Sequence, residues 1–449
     1  MGNNGPKSAF NLLRLVGDIV LINASIIIAF LIRFQGNLLS FDFSPYLIMI
    51  PFISVVAVLL FNFYGLYTLR QKWTETFASL VVSIGILMLF TISLSYMIQR
   101  FSFPRSVFLI AAVVQLVVLG FWRRALLKID ATRRPPRKII CVASGEDAEF
   151  ILEKLTEGNE IIVGIISEVE NDNPNSKFTH IGTFETVEEV CSKYRPDTVI
   201  VSGEVPDQVR EAVVRGGLSR GWESLIIPSV YEIMLSQATL DQIEDTPVLK
   251  IDAATNPGRD QVKRFMDVSA SLLGLILFSP LFLLVVIAIK IDSPGPVFYV
   301  QKRIGRKGRQ FNIYKFRTMK HDAEVYTGPI QSYEDDPRIT RMGRILRPTR
   351  MDELPQLINV LKGDMSMVGP RPERPYFVER YEKEIQGYTY RHITNAGITG
   401  LAQVMSNYST SIEDKLRYDL LYAKNYSPLF DIKILLQTIK VILMRDRAS

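Results

Sequence analysis

Asp352 and Glu353 are adjacent carboxylates set among arginines, in the run Thr349-Arg350-Met351-Asp352-Glu353-Leu354-Pro355-Gln356-Leu357. Upstream, residues 301–320 carry eight Lys or Arg and no acid, and downstream stands Met367-Val368-Gly369-Pro370-Arg371-Pro372-Glu373-Arg374. Acids inside a cationic setting suggest phosphoryl chemistry, with a carboxylate as nucleophile or metal ligand and an anionic substrate held by the cations. An ionised Asp can attack phosphorus only when the phosphate charge is neutralised, which Mg²⁺ and arginines can do. A helix cap would also explain the pair. Thr349-x-x-Asp352 resembles a capping box, and Pro355 suits the first turn of a helix running to about Leu361. The two explanations are compatible, because a helix N-terminus lowers a carboxylate's pKa and attracts phosphate. Arg347 and Arg350 would further favour the ionised form.

The basic run is Lys302, Arg303, Arg306, Lys307, Arg309, Lys315, Arg317 and Lys320. Interleaved Phe311, Ile313, Tyr314 and Phe316 predict a β-hairpin turning near Gly308. Such a run can be a solvated face, a membrane-surface patch or a phosphate site. Its clustering with the acid pair favours Lys302, Arg303, Lys315 and Arg317 as phosphate ligands. Nucleic acid is not an expected partner, since the chain has several apolar spans and no recognised binding module. Two Cys and three His offer no zinc-ligand spacing, so a metal here would be a hard cation on oxygen ligands. Cys141 and Cys191 sit in apolar runs, which points to reduced thiols in a cytosolic setting.

The elements that must position these groups begin with membrane spans. The chain has 449 residues, room for two or three domains, and 48% of them are hydrophobic. Four apolar segments, roughly 11–32, 45–67, 77–99 and 104–122, are each near the ~20 residues that cross a bilayer. The first is too long for a signal peptide. Lys7 and Arg14 precede the first span, Arg70 and Lys72 separate the second and third, and a basic cluster from Arg123 to Lys138 follows the fourth. Residues 34–44 contain no Lys or Arg, so the N-terminus and everything after residue 123 are expected on the cytoplasmic side. Asp18, inside the first span, either marks a function or is a near-interface residue one turn from Arg14, and the second is favoured.

A fifth apolar run, Val268 to Ile289, has basic residues at both ends and Ser279-Pro280 at its centre. An ordinary kinked span would put the basic tail outside. A re-entrant helix over about 263–290, breaking at Ser279-Pro280 and returning to the cytoplasmic face, fits better. The apolar C-terminal segment 428–444, with Lys433 and Lys440 interspersed, reads as core or as an interfacial helix, with interface association favoured.

Charge divides the rest. Residues 1–136 hold twelve basic and four acidic side chains, 137–260 eleven and twenty-three, and 261–449 twenty-nine and nineteen. In the acidic middle, Lys138–Ala143, Glu160–Ile166, Thr198–Ser202 and Ser224–Ile227 read as strands, and 147–156, 186–194 and 207–219 as helices. That alternation predicts a parallel, Rossmann-like α/β unit. Its first strand ends in Ala143-Ser144-Gly145-Glu146, where a dinucleotide binder has Gly-x-Gly-x-x-Gly, and no P-loop occurs. An acidic surface would also repel nucleotide phosphates. A degenerate fold used for dimerisation or regulation is therefore preferred over a cofactor domain, and a homodimer is expected.

Residues 261–445 resemble the catalytic domain of bacterial polyprenyl-phosphate glycosyl-1-phosphate transferases, the bacterial sugar transferase group. The resemblance rests on seven segments. They are Lys263-Arg264-Phe265-Met266-Asp267, Ser279-Pro280, Gly295-Pro296-Val297-Phe298, Lys315-Phe316-Arg317-Thr318-Met319, Asp336-Pro337-Arg338-Ile339-Thr340-Arg341, Asp352-Glu353-Leu354-Pro355-Gln356-Leu357 and Gly369-Pro370-Arg371-Pro372-Glu373. With four spans and an acidic α/β middle, the chain looks like the long form of that group.

The resemblance implies transfer of sugar-1-phosphate from a UDP-sugar to undecaprenyl phosphate, with release of UMP. The product would be the first lipid-linked intermediate of an exopolysaccharide, capsule or O-antigen. It further implies Asp352 as nucleophile through an aspartyl-phosphosugar intermediate, Glu353 and Asp352 as ligands of Mg²⁺, and Arg347 and Arg371 as phosphate holders. The chain departs from the group at Asn395-Ala396-Gly397-Ile398-Thr399-Gly400, where Lys-Pro-Gly-Ile-Thr-Gly is common. It departs again at Met405-Ser406-Asn407-Tyr408, where Asn-Gly-Arg is frequent.

The expected architecture is a multi-domain membrane protein of the bacterial inner membrane. It comprises a four-helix transmembrane bundle (1–136), a degenerate Rossmann-like domain (137–252) and an α+β catalytic domain with the re-entrant helix (253–449), the last two cytoplasmic. Two other functions stay open. A membrane nucleotide-sugar dehydratase would need the missing glycine fingerprint, and an inactive assembly scaffold would have no use for an intact acid pair.

Overall fold

The computed structural model describes residues 5–36, 44–67, 72–98, 104–133, 136–155, 160–168, 177–236, 239–243, 246–250, 257–320, 336–406 and 410–444. It divides into two units, Met1–Leu225 and Ile226–Ser449. Arg70 and Arg134, used above for orientation, lie outside the described residues, as does the side chain of Lys7.

The first unit opens with helices α1 (Gly5–Arg33), α2 (Ser44–Phe63), α3 (Trp73–Met97) and α4 (Arg105–Arg133). Each contains a stretch long and apolar enough to cross a membrane. They pack around one apolar core that includes Phe30, Met49, Ile53, Phe61, Leu80, Leu87 and Leu119. Some polar groups inside this core are paired across helices, which relieves the cost of placing them in an apolar medium. Asn23 donates to Ser54 Oγ at 3.1 Å and accepts from Tyr46 OH at 2.8 Å. Gly17 lies against Trp122 so closely that a Cβ would stand 2.7 Å from its ring, so a small residue sets the approach of α1 to α4.

Asp18 has the structural role favoured above, and it forms an ion pair with Arg123 of α4, while Arg14 faces Asp130 at 3.9 Å. One-turn spacing in sequence suggested Arg14, whereas the packing of α1 on α4 brings Arg123 to Asp18. Arg123 also donates to Leu66 O at 2.8 Å and lies over the rings of Phe61 and Tyr67. Arg123→Ala would leave Asp18 buried without its counter-charge, a loss of about 3–5 kcal/mol. A clear drop in melting temperature of the detergent-solubilised chain is the expected outcome. An unchanged melt would show that the pair is not the tie between these helices.

The same unit continues with β1 (Arg137–Val142), α5 (Gly145–Leu155), β2 (Glu160–Ser167), β3 (His180–Thr183), α6 (Val187–Tyr194), β4 (Thr198–Val201), α7 (Asp207–Arg220) and β5 (Glu223–Ile226). The sheet order is β3-β2-β1-β4-β5, with β2–β3, β1–β2 and β1–β4 parallel. Alternate residues serve its two faces. Ile140 and Val142 join Val190, Val213 and Trp222 on one side, while Cys141 and Ala143 join Ala148 and Leu152 on the other. Strands covered on both faces read as continuous apolar runs, which is why the sequence revealed them. Only β3, a short edge strand, went unpredicted. Cys141 and Cys191 are buried and free.

The second unit begins with α8 (Val230–Leu235) and the antiparallel hairpin β6 (Thr239–Ile243) and β7 (Thr246–Lys250). Helix α9 (Pro257–Asp292) follows, then the antiparallel strands β8 (Phe298–Ile304) and β9 (Gln310–Phe316). The hairpin turn is where the sequence put it, with Lys307 and Gly308 at positive φ. Beyond it come α10 (Gly343–Leu346), α11 (Gln356–Lys362), β10 (Ser366–Val368), α12 (Pro375–Glu384), β11 (Gly397–Thr399), α13 (Leu401–Met405), α14 (Ile412–Asn425) and α15 (Pro428–Leu443). Strands β10 and β11 pair in parallel.

Helix α9 runs through Ser279-Pro280 as one element of 36 residues, with Pro280 inside it and Ser279 Oγ donating to Ile276 O at 2.8 Å. Leu272, Leu273, Ile276, Leu277, Leu283, Leu284 and Ile287 are exposed along it. Its first half is tied to the unit by Lys263, which donates to Val368 O and Tyr422 OH and pairs with Asp431. Asp267 Oδ1 adds bonds from Ser366 Oγ and Met367 N. Its second half shares a core with Phe316 and Leu346 through Val285 and Ile289. Both halves therefore pack on the same body. On α15, Leu429, Ile432, Ile439 and Leu443 are exposed while Ile434 and Val441 are buried, so that helix carries an apolar outer face.

Candidate active site

The acid pair lies where α9, the β8–β9 hairpin and α11 converge. Met351 and Leu354 pack into the core formed by Val285, Ile289 and Phe316. Between them, Met351–Glu353 form a single 3₁₀ turn, and the α-helix starts only at Gln356. The capping box is not formed. Thr349 Oγ1 turns back to Ile345 O at 2.9 Å and Leu346 O at 3.1 Å, closing the preceding helix instead. Arg350 precedes the 3₁₀ turn with φ 56°, a left-handed conformation that carries strain in a residue with a long side chain. Helix α11 is fastened at both sides. Asn359, fully buried, donates to Asn312 O at 2.7 Å and accepts from Tyr314 N at 3.0 Å, and Arg264 donates to Val360 O and Leu361 O at its C-terminus.

Glu353 is buried and takes both Lys315 Nζ (2.7 Å) and Arg371 Nη2 (3.0 Å) on Oε1. Burial alone would raise its pKa, but Arg371, Lys315 and Arg350 overcome it and hold the carboxyl well below its usual range. Lys315 is lowered by burial, against the pull of Glu353. Asp352 behaves oppositely. It is half-buried, has no hydrogen-bond partner among the described residues, and is pushed up to about 6 by burial and by Glu353 beside it. Lys315, Arg347 and Arg350 only partly counter this. The sequence suggested a carboxyl held low by a helix end and arginines. The helix starts too late to help, and burial, together with Glu353 beside it, outweighs the surrounding cations.

Four cations thus surround two carboxylates, leaving an excess of two positive charges for an anionic ligand. Arg347 and Arg371, both expected here from the sequence, belong to this set, and Arg347 Nε is oriented by Thr318 Oγ1 at 2.9 Å. Lys315 belongs too. Three other expected phosphate ligands are placed differently. Arg317 is buried and donates to Ser293 O at 2.7 Å, Pro294 O at 2.8 Å and Ser293 Oγ at 2.9 Å. Arg303 donates to Pro372 O at 3.0 Å and Gln301 Oε1 at 2.8 Å and faces Glu373 at 3.5 Å. Lys302 is exposed on β8, opposite Asn312. Asn359, Thr318 and the grip on Arg371 described below carried no sequence signal of their own, since their partners lie far away in the chain. Of the departing C-terminal motif, Asn407 and Tyr408 lie outside the described residues.

For a magnesium ion the donor set is small. Among the described residues no three His, Cys, Asp or Glu side chains come together. Magnesium nonetheless is commonly held by one or two carboxylates and completed by substrate phosphates and water. Among the described residues Asp352 has no hydrogen-bond partner, and both ion pairs of Glu353 there fall on Oε1, leaving Oε2 clear of them. The pair fits such an ion.

A family model described as bacterial sugar transferase matches residues 258–445. A UDP-N-acetylgalactosamine-undecaprenyl-phosphate N-acetylgalactosaminephosphotransferase of Aeromonas hydrophila is 40% identical over 220 residues, 48% of this chain and 51% of that protein. A UDP-glucose:undecaprenyl-phosphate glucose-1-phosphate transferase of Escherichia coli is 38% identical over 223 residues, 48% of this chain and 47% of that one. A protein of the same description from Caulobacter vibrioides is 43% identical over 194 residues, 42% of this chain and 72% of its own length. The chain spans about half the length of the first two relatives.

Proposed function

The chain belongs to the bacterial sugar transferase family, and from that premise we propose that it moves a sugar-1-phosphate from a UDP-sugar to undecaprenyl phosphate, releasing UMP. The observation that carries this is the unlike pair. Glu353 is pinned between Lys315 and Arg371, while its neighbour Asp352 carries a carboxylate that no hydrogen bond engages among the described residues and that an excess of cations surrounds. A nucleophile must be ionised, unengaged and next to neutralised phosphate. Asp352 meets the first condition above a pH of about 6.

In the proposed sequence an Asp352 oxygen attacks the sugar-bearing phosphorus of the UDP-sugar. The bond from that phosphorus to the UMP oxygen breaks, and UMP leaves with the electron pair. An undecaprenyl phosphate oxygen then attacks the aspartyl-phosphosugar, and the Asp352 carboxylate returns with its electrons. Arg347, Arg350 and Arg371 hold phosphate oxygens, and Lys315 and Arg371 keep Glu353 ionised and fixed. Asp352 and Glu353 would hold Mg²⁺, which when bound supplies further charge neutralisation to the diphosphate.

The proposal includes a setting. The four N-terminal helices form a transmembrane bundle, the α/β sheet is a degenerate Rossmann-like domain serving a homodimer, and the divisions fall near 136 and 252. The domains after residue 123 face the cytoplasm of a bacterium from its inner membrane, which the absence of Lys and Arg at 34–44 supports. Helix α9 is re-entrant, bending at Ser279-Pro280. Supporting this, both of its halves pack on one body, which a helix carrying that body to opposite faces of the bilayer could not do. A dehydratase is disfavoured because β1 runs into Ala143-Ser144-Gly145 with no glycine fingerprint. The relatives' names carry different sugars at nearly equal identity, so the sugar stays open.

The test is UMP release by the full-length chain in detergent or nanodiscs, with undecaprenyl phosphate, Mg²⁺ and a panel of UDP-sugars. UMP that requires one donor and the lipid phosphate is the expected result. No UMP from any donor would overturn the assignment.

A further inference from the structure

The segment that carries Arg371 is held at four consecutive carbonyls. Pro370 O accepts from Gly397 N at 2.9 Å, Arg371 O from Arg391 Nη2 at 3.0 Å, Pro372 O from Arg303 Nη1 at 3.0 Å, and Glu373 O from Ile304 N at 2.9 Å. Proline at 370 and 372 removes two N–H donors and fixes φ, so the carbonyls are the means by which the fold can locate this arm. Two of the four donors are backbone groups of neighbouring strands. The other two are arginine side chains, both far away in sequence.

Arg391 is the more deeply buried of these arginines, 7% exposed, and its counter-ion Asp419 is 2% exposed at 2.7 Å. The Tyr388 hydroxyl accepts from Arg391 Nη1, and the Tyr388 ring lies 5.0 Å from the guanidinium carbon. Asp419 sits on α14, whose Leu416 and Leu420 share a core with Tyr381 and Tyr388. Burial opposes the Arg391 charge, and Asp419, Tyr388 and Glu373 favour it. A buried ion pair is weak evidence for stability, because its attraction does little more than offset desolvation. Here the same guanidinium nitrogen that meets Asp419 also holds the Arg371 carbonyl.

We propose that Arg391, anchored by Asp419, is a positioning residue that fixes the Arg371 backbone and thereby sets where the Arg371 guanidinium meets Glu353. It rests on the phosphoglycosyl-transfer assignment of that site. Displacing a catalytic group by about 1 Å can slow a reaction ~10²-fold. Arg391 need not touch substrate to produce such a loss.

The experiment is a double-mutant cycle on the full-length chain, read as kcat for UMP release, KM for the UDP-sugar, and melting temperature. Wild-type turnover in the same assay separates failure of the assignment from failure of this inference. Arg391→Gln is expected to lower kcat about 10²-fold and to change KM less than about threefold. In an Arg371→Lys background, which keeps a measurable rate, Arg391→Gln should slow turnover by no more than about threefold further. Arg391→Lys keeps the charge for Asp419 but loses the rigid planar fork whose Nη1 meets Tyr388 while Nη2 meets Asp419 and the Arg371 carbonyl, so it should melt near wild type and turn over about tenfold slower. If Arg391→Gln does not fold, the Arg391→Lys cycle decides. Wild-type kcat in Arg391→Lys, or losses that multiply in the double variant, would overturn the proposal.

Discussion

Asp352→Asn is expected to lower turnover by at least about 10³-fold and to leave the fold intact. The two halves of that expectation have different causes. Turnover is lost because an amide cannot attack phosphorus. The fold survives because Asp352 makes no hydrogen bond among the described residues that the substitution would break. Stability should even rise at neutral pH in the presence of a chelator. The folded pKa stands at about 6, above the ordinary 3.8, because burial and Glu353 oppose the charge. At pH 7 the folded wild type therefore carries an unfavourable carboxylate that Asn removes. As pH falls from about 6 towards 3.8 the wild type takes up a proton, and the difference in melting temperature should vanish. Intact-mass measurement after incubation with UDP-sugar, without lipid acceptor, should find a sugar-phosphate adduct on wild type and none on the variant. Turnover within about tenfold of wild type would place the nucleophile elsewhere.

Glu353→Gln should fail in both respects. Removing the charge leaves the largely buried Lys315 and the partly exposed Arg371 facing one another without their shared anion. Breaking a buried pair from one side costs about 3–5 kcal/mol, so the melting temperature should fall clearly. Turnover should fall by about 10²-fold or more, since Arg371 loses the contact that holds it and the neighbour of Asp352 no longer binds as an anion. The combination Glu353→Gln with Lys315→Met tells the causes apart. Replacing Glu353 and Lys315 together removes the buried uncompensated charge and leaves only Arg371, whose side chain is partly exposed, so stability should recover substantially while activity stays lost. Recovery of activity along with stability would reduce Glu353 to a structural anion.

These two neighbours show how far the site could be read in advance. The residue types and their clustering were legible, because a carboxylate pair among arginines is a local pattern. Their division of labour was not. Lys315 is 38 residues from Glu353 and Arg371 is 18 away, so which cation meets which acid depends on how β9, the 3₁₀ turn and the Pro-Arg-Pro arm fold together. The basic run illustrates the same limit. Lys315 lies on β9 and Arg317 just past its end, two residues apart, yet one faces Glu353 and the other secures the turn at Ser293 and Pro294.

By itself the sequence determined most of the elements: five apolar helices, four of the five strands of the α/β sheet, the hairpin turning at Gly308, and the motifs of a family. Length, period and composition are properties of contiguous residues, so no tertiary contact was needed to see them. The tertiary structure decided everything that depends on burial and on distant partners. It paired Asp18 with Arg123 of α4. It turned Thr349 away from the cap and carried α9 through Ser279-Pro280 as one helix. It raised the pKa of Asp352 where local charges alone predicted the opposite, because desolvation is set by what packs around a group and not by its neighbours in sequence.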